Sequence, residues 1–212
     1  MDADITTEDQ LRELLGRPSA AAAGKDRANL HELDRAFLAA SPFCLLATSA
    51  ADGSCDVSPK GDPPGFAHIL SDTALAIPER SGNRRADGYR NVLSNPHVGL
   101  LFLIPDRGDT LRINGRARLV SDAPFFDDMV VRNNRPVLAM IVDIEQVFFH
   151  CSKAFLRSKL WDPSTWSEVA VPSRPVIAHT LERPDTPIEE LEAYYGTAYE
   201  AGLYPPTSGL AG

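Results

Sequence analysis

Apolar and polar side chains alternate through residues 110–120. Leu111, Ile113, Ala117 and Leu119 fall on one side of an extended chain, and Arg112, Asn114, Arg116 and Arg118 on the other, the period-two signature of a half-buried strand. The preceding run, 97–105, is apolar almost throughout and predicts a strand buried on both faces. Earlier, 43–49 and 54–58 flank an Ala51-Asp52-Gly53 turn, and 66–70 and 73–78 flank Ser71-Asp72, which predicts two hairpins. Between them, the proline-rich 59–65 predicts an extended loop that leaves the sheet. A long last strand is expected over 137–149. Helical spacing predicts helices over 6–15, 26–40, 84–94, 122–129, 152–158 and 186–201, with 20–24 a flexible connection. Short strands with tight turns and a single inserted helix imply a mainly β fold: a small antiparallel barrel with peripheral helices.

Composition narrows the function classes. A net charge of −8 and a pI near 5.1 disfavour a nucleic-acid or anionic-membrane surface, which needs a broad basic face. The three cysteines, Cys44, Cys55 and Cys151, include no CxxC pair, so neither a disulfide framework nor a structural zinc site is indicated. With no apolar leader and no membrane-length run, a cytoplasmic protein with reduced thiols is expected. His150 and Cys151 are adjacent on a strand and point to opposite faces, so they read as structural rather than as a base and nucleophile.

Against this acidic background the arginines stand out. Asn83 is placed to cap a helix whose first turn holds Arg84 and Arg85. Two cations there oppose the helix dipole, a cost of roughly 0.3–1 kcal/mol each. A bound anion would reverse the sign, met by backbone N–H groups and guanidinium forks together. The basic face of 110–120 can serve as plain solvent-exposed surface or as the wall of the same anion site.

The ordered set Ser58-Pro59-Lys60-Gly61-Asp62, Gly82-Asn83-Arg84-Arg85, 95–102 and 111–117, followed by 149–154 and 157–161, resembles the pyridoxamine 5′-phosphate oxidase-like family, and within it an FMN-dependent branch. The resemblance covers residues 40–162. It implies an FMN-binding split β-barrel with Greek-key antiparallel strands, assembled as a homodimer with flavin at the subunit interface. By position, Ser58, Lys60, Asn83, Arg84 and Arg85 would hold the phosphate. Asp56, Val57 and Pro59, with Ile77 and Pro78, would line the isoalloxazine edge. Thr110 and Arg112 would reach the ribityl chain or phosphate, and Lys153, Ser158 and Trp161 would close the pocket from the second subunit. The chain would then divide into an N-terminal helical cover (1–40), the barrel (41–162) and a C-terminal extension (163–212).

The resemblance implies an oxidoreductase moving hydride or electrons between a small organic substrate and the flavin, with no protein acid or base assigned. Its alternatives are a non-catalytic flavin-binding or redox-sensing protein, and a split-barrel haem binder whose arginines meet propionates. The arginine-containing C-terminal motif that holds pyridoxal phosphate in the oxidases proper is not evident after Trp166, so the flavin site carries over better than the substrate site.

Overall fold

The computed structural model describes residues 4–167 and 171–205; residues 1–3, 168–170 and 206–212, which belong to the expected N-terminal cover and C-terminal extension, lie outside the described residues. Seven strands form one antiparallel sheet: β1 (Phe43–Ser49), β2 (Cys55–Gly61), β3 (His68–Ser71), β4 (Ala74–Pro78), β5 (His97–Leu103), β6 (Thr110–Val120) and β7 (Ala139–His150). Their order is β2-β1-β5-β6-β7-β4-β3. The fold is mainly β and split-barrel-like, and the sheet is not closed, with β2 and β3 as its free edges.

The alternation expected on β6 holds: Leu111, Ile113 and Ala117 are buried, and Arg116 and Arg118 are exposed. On β5 the pattern differs from the expected fully buried run. Val98, Leu100 and Phe102 are buried while His97 is exposed and Leu101 and Leu103 are half-buried, because the curled sheet encloses only its inner face. The main core joins these residues to Cys44 and Leu46 of β1, Leu75 and Ile77 of β4, and Met140, Val142 and Val147 of β7. Each large side chain buried there contributes about 1.5–3 kcal/mol. A smaller cluster on the other face of β7 packs Ile141 against Phe126 and Met129 of the 3-10 turn Pro124–Met129.

Proline does not end β2 as expected. Pro59 pairs with Leu45 inside the strand, and the ladder continues to Gly61. An edge strand has one unpaired side, so a missing N–H there leaves no broken bond.

The helices depart further from the pattern. Residues 20–24 contain a short helix, α2 (Ala20–Ala23), after α1 (Glu8–Leu15). No residue of α1 is buried; Leu14 and Leu15 are exposed. The helix expected over 26–40 is α3 (Glu32–Ala40), because Arg27 instead bridges to Val147 through two backbone hydrogen bonds. Asp34, fully buried, accepts from Arg27 Nη2 at 2.9 Å and from the His31 N–H at 2.8 Å. Asp34→Ala strands both donors and is expected to cost about 1–3 kcal/mol, discounted because Arg27 is partly exposed, read as a lower urea midpoint.

Past β7 come α5 (Lys153–Ser158), α6 (Arg174–Leu181), α7 (Ile188–Tyr194) and α8 (Thr197–Ala201). α6 was not anticipated, although Pro175 in its first turn is a standard start signal. The expected single helix to 201 breaks at Tyr195-Gly196, and Pro187 rather than Thr186 occupies its N-cap. Among the described residues no helix is long and apolar enough to cross a membrane.

Candidate functional site

The curl of the sheet brings together strands that are distant along it. Four strands separate β2 from β4, yet Lys60 Nζ at the end of β2 lies 2.7 Å from Glu79 Oε2 just beyond β4. Between these two ends opens a hollow of about 530 Å³. Its floor is β2, one wall is the 78–80 segment, and its rim is the 81–86 loop leading into α4 (Asp87–Ser94).

That loop corrects the expected helix start. Ala86, not Asn83, is the N-cap; it takes a left-handed conformation (φ 56°) and makes no side-chain cap bond. Arg84 is also left-handed, at φ 61°. Two such non-glycine residues interrupt the helix, at roughly 1–2 kcal/mol each. Both arginines therefore precede the helix, and the expected clash with its dipole does not arise. Asp87 occupies the first turn instead, with the favourable sign. Asn83 still shapes the loop, since its Oδ1 accepts the Arg85 N–H at 3.0 Å.

Of the expected site residues, Asp56, Val57, Ser58, Pro59, Lys60, Pro78, Asn83, Arg84 and Arg85 line this one hollow. Ile77 does not: alternation turns its side chain fully into the core while Pro78 faces the hollow. Thr110 and Arg112 do not reach it within one chain, because β1 and β5 stand between β6 and β2. Arg112 lies over the Phe148 ring at 5.6 Å. Lys153, Ser158 and Trp161 are likewise elsewhere; the Trp161 indole donates to the Arg107 carbonyl and stacks on Phe155.

Electrostatically the hollow is balanced rather than basic. Lys60, Arg80, Arg84 and Arg85 face Asp56, Asp62, Glu79 and Asp87. Lys60 is held by Glu79 and by the Tyr89 hydroxyl at 3.0 Å, with its ammonium 4.6 Å from the Tyr89 ring centre. Tyr89 also donates to Glu79; burial first, then that negative charge, pushes its pKa up, so it stays a donor. Arg80 pairs with Asp62 at 2.5 Å, and Arg85 with Asp87 at 2.8 Å. Arg84 alone of the four has no carboxylate partner among the described residues. Glu79, Arg80 and Tyr89 were missed in the sequence reading. Glu79 and Arg80 directly follow the Pro78 singled out there, whereas nothing local marks Tyr89, which meets the site only through the fold.

Arg112 and Lys153 have no carboxylate partner among the described residues, and His150, paired with Thr110 across β6 and β7, has a buried Nε2 with no hydrogen-bond partner. Burial, then Arg112 and Lys25, hold the His150 pKa below its ordinary value. The Lys153 N–H and then nearby cations lower that of the exposed Cys151 thiol, whereas burial pushes Cys44 up to about 12. Alkylation with iodoacetamide at neutral pH, followed by peptide mass analysis, is expected to label Cys151 at least ~100-fold faster than Cys44.

A solved structure of a candidate pyridoxamine 5′-phosphate oxidase from Lactobacillus delbrueckii is 22% identical and covers 57% of this chain and 95% of its own, with a TM-score of 0.46. HupZ of Group A Streptococcus is 16% identical over 57% of this chain and 93% of its own, TM-score 0.46. An FMN-binding protein from Syntrophomonas wolfei is 12% identical over 56% and 89%, TM-score 0.43. Curated proteins offer no match to the chain. Residues 30–151, more than half of the sequence and the whole span from just before α3 to the end of β7, match the family described as pyridoxamine 5′-phosphate oxidase, and the chain belongs to that family.

Proposed function

We propose that the hollow between β2 and β4 binds FMN, and that the protein is an oxidoreductase passing hydride or electrons between a small organic substrate and that flavin. The observation that carries this reading is the convergence of Ser58, Asn83, Arg84 and Arg85 on one hollow, at a loop strained at Arg84 and Ala86. Strain of this kind persists where the surroundings over-determine it, commonly at ligand clamps. The donor set suits a phosphate monoester. Arg84 has no carboxylate partner among the described residues, the Arg85 fork is largely exposed and can exchange Asp87 for a ligand oxygen, the Asn83 amide lines the same hollow, and the Ser58 hydroxyl, which donates to Asp56 at 2.6 Å, can likewise exchange that carboxylate for a ligand oxygen. Lys60 contributes less than its position implies, since a phosphate must compete with Glu79 for it.

When bound, FMN supplies the redox chemistry of its ring; the protein's own task is to hold, orient and shield it. The free edge of β2 offers unpaired backbone groups at alternate residues, the N–H and C=O of Val57 and the C=O of Pro59, suited to the polar edge of a planar ring. Pro78 and Phe66 give the hollow apolar surface that excludes water.

The reading includes a homodimer. A second copy would bring Lys153, Ser158 and Trp161 to the open side of the hollow, with Thr110 and Arg112 serving the shared interface. Arg112 and Lys153, without a carboxylate partner among the described residues, and the exposed Val57, Leu156 and Leu160 support this. Residues 1–40 and 163–212 would then act as cover and extension around the 41–162 barrel in the cytoplasm.

Purified protein reconstituted with FMN and reduced anaerobically by NADH or NADPH tests the reading. Reoxidation by quinones or nitro compounds faster than that of free FMN is expected. Rates no better than free FMN would leave a flavin binder without oxidoreductase activity, and a Soret band in place of a flavin spectrum would overturn the cofactor assignment.

A further inference from the structure

We propose that residues 203–205 form a strap across the end of the hollow remote from Arg84 and Arg85, and that the Tyr204 ring is the wall holding the planar part of the bound flavin. This rests on the flavin reading above. Leu203 and Tyr204 both line the hollow although they lie far from the barrel in sequence. Tyr204 is anchored through its hydroxyl and lines the hollow with its ring. Its hydroxyl donates to Asp62, directly after β2. Asp62 is almost wholly buried and also accepts from Arg80 Nε, whose other nitrogens donate to the carbonyls of Met129 (2.7 Å) and Asn134 (3.2 Å). The tyrosine ring lies within reach of two guanidinium groups, Arg132 at 5.2 Å and Arg80 at 6.0 Å, and the Asn134 amide donates to the Pro205 carbonyl. The strap is thereby tied to the ends of β2 and β4 and to the 131–134 turn. Burial, and then the Asp62 hydrogen bond, push the Tyr204 pKa up, so the phenol remains a donor at neutral and mildly alkaline pH.

The two ends of the hollow differ in chemistry. Asp56, beside Arg85 and Asp87, begins it. Asp62 lies six residues further along an extended chain, about 20 Å away at the usual strand rise. At that far end Arg80 is consumed by Asp62 and two carbonyls and Arg132, which does not line the hollow, lies against the Tyr204 ring, so that among the described lining residues no free cation stands there, while Tyr204 and Phe66 supply aromatic surface. Phosphate and isoalloxazine are the opposite ends of FMN. A phosphate at Arg84 and Arg85 therefore directs the ring toward Tyr204, where offset stacking is favourable.

Stopped-flow release, followed by recovery of flavin fluorescence, tests this on full-length protein loaded with FMN or with riboflavin. Tyr204→Ala is expected to speed release by about tenfold, and Tyr204→Phe, which keeps the ring, by only about two- to threefold. The factor should be the same for FMN and riboflavin, because Tyr204 acts on the ring and not on the phosphate. A chain ending at Gly202 should behave as Tyr204→Ala does. Wild-type protein that binds neither flavin overturns the flavin reading, and this inference with it. Wild-type binding with unchanged release from both Tyr204→Ala and the shortened chain overturns this inference alone.

Discussion

Replacing Arg84 and Arg85 together by alanine is expected to raise the dissociation constant for FMN by at least ~100-fold, measured by quenching of flavin fluorescence. A hydrogen bond to a charged group contributes about 1.5–3 kcal/mol, and each 1.4 kcal/mol is tenfold in affinity. Two guanidinium forks on a phosphate near −2 thus predict two orders of magnitude even at the weak end of that range. The weak end is appropriate because the Arg85 side chain is 73% exposed and already paired with Asp87, so solvent and salt screen it. Each single variant should lose about tenfold or somewhat more. Asp87→Asn should move the other way, tightening FMN a few-fold by freeing Arg85 from its carboxylate. All three effects should shrink as ionic strength rises from 0.05 to about 0.5 M, since the Debye length falls several-fold over that range.

Gly115→Ala is expected to be the most damaging single substitution in the barrel. β6 and β7 lose register at Asn114-Gly115, where Asn114 pairs with Gln146 and Gly115 with Ile144, leaving Glu145 as the extra residue of a bulge. The bulge shifts the inward alternation on β7, so that Ile144 and Val147, three apart, are both buried. It also presses the two backbones together: a Cβ on Gly115 would stand 2.1 Å from the Asp143 carbonyl oxygen and 3.0 Å from its carbon. Backbone on both sides cannot yield as a flexible side chain can, so a loss of about 3 kcal/mol or more is expected, at the upper end for overpacking. The urea midpoint should fall accordingly. Gly99→Ala is the internal comparison. Its Cβ would meet the Asn114 side-chain oxygen at 3.2 Å, and that side chain can give way at the expense of loosening its hydrogen bond to Gln146, so the cost should stay near 1 kcal/mol. Equal midpoints for the two variants would contradict the bulge argument.

The parts of the molecule that followed from sequence are those where one local signal dominates. β1 and β6 have the predicted bounds because alternation and turn residues agree there. The 81–86 loop stands out in the sequence for a reason that fails in detail. Its arginines do face one hollow with Ser58 and Lys60, but from a strained loop ahead of the helix and not from a helical turn. Left-handed Arg84 and Ala86 give no sequence sign, since neither is glycine. Pro59 misled because the rule against proline applies to central strands, and edge position depends on strand order, a long-range property. The compensation of Lys60 by Glu79, and the arrival of Tyr204 at Asp62, require the curl of the sheet and the return of the C-terminal segment. No local pattern encodes either. The exposed α1 failed differently: its leucines have helical spacing, but spacing says only that a stripe exists, not that anything covers it.

The central claim is that Arg84 and Arg85 grip a phosphate in the hollow between β2 and β4. The most direct measurement compares the affinities of FMN and riboflavin, which differ only by that phosphate, for the wild-type protein and for the Arg84→Ala/Arg85→Ala variant. The account predicts that the wild-type protein prefers FMN by about 100-fold and that the variant binds both alike. Equal affinity of the wild-type protein for the two flavins, or a preference for FMN that survives in the variant, would contradict it.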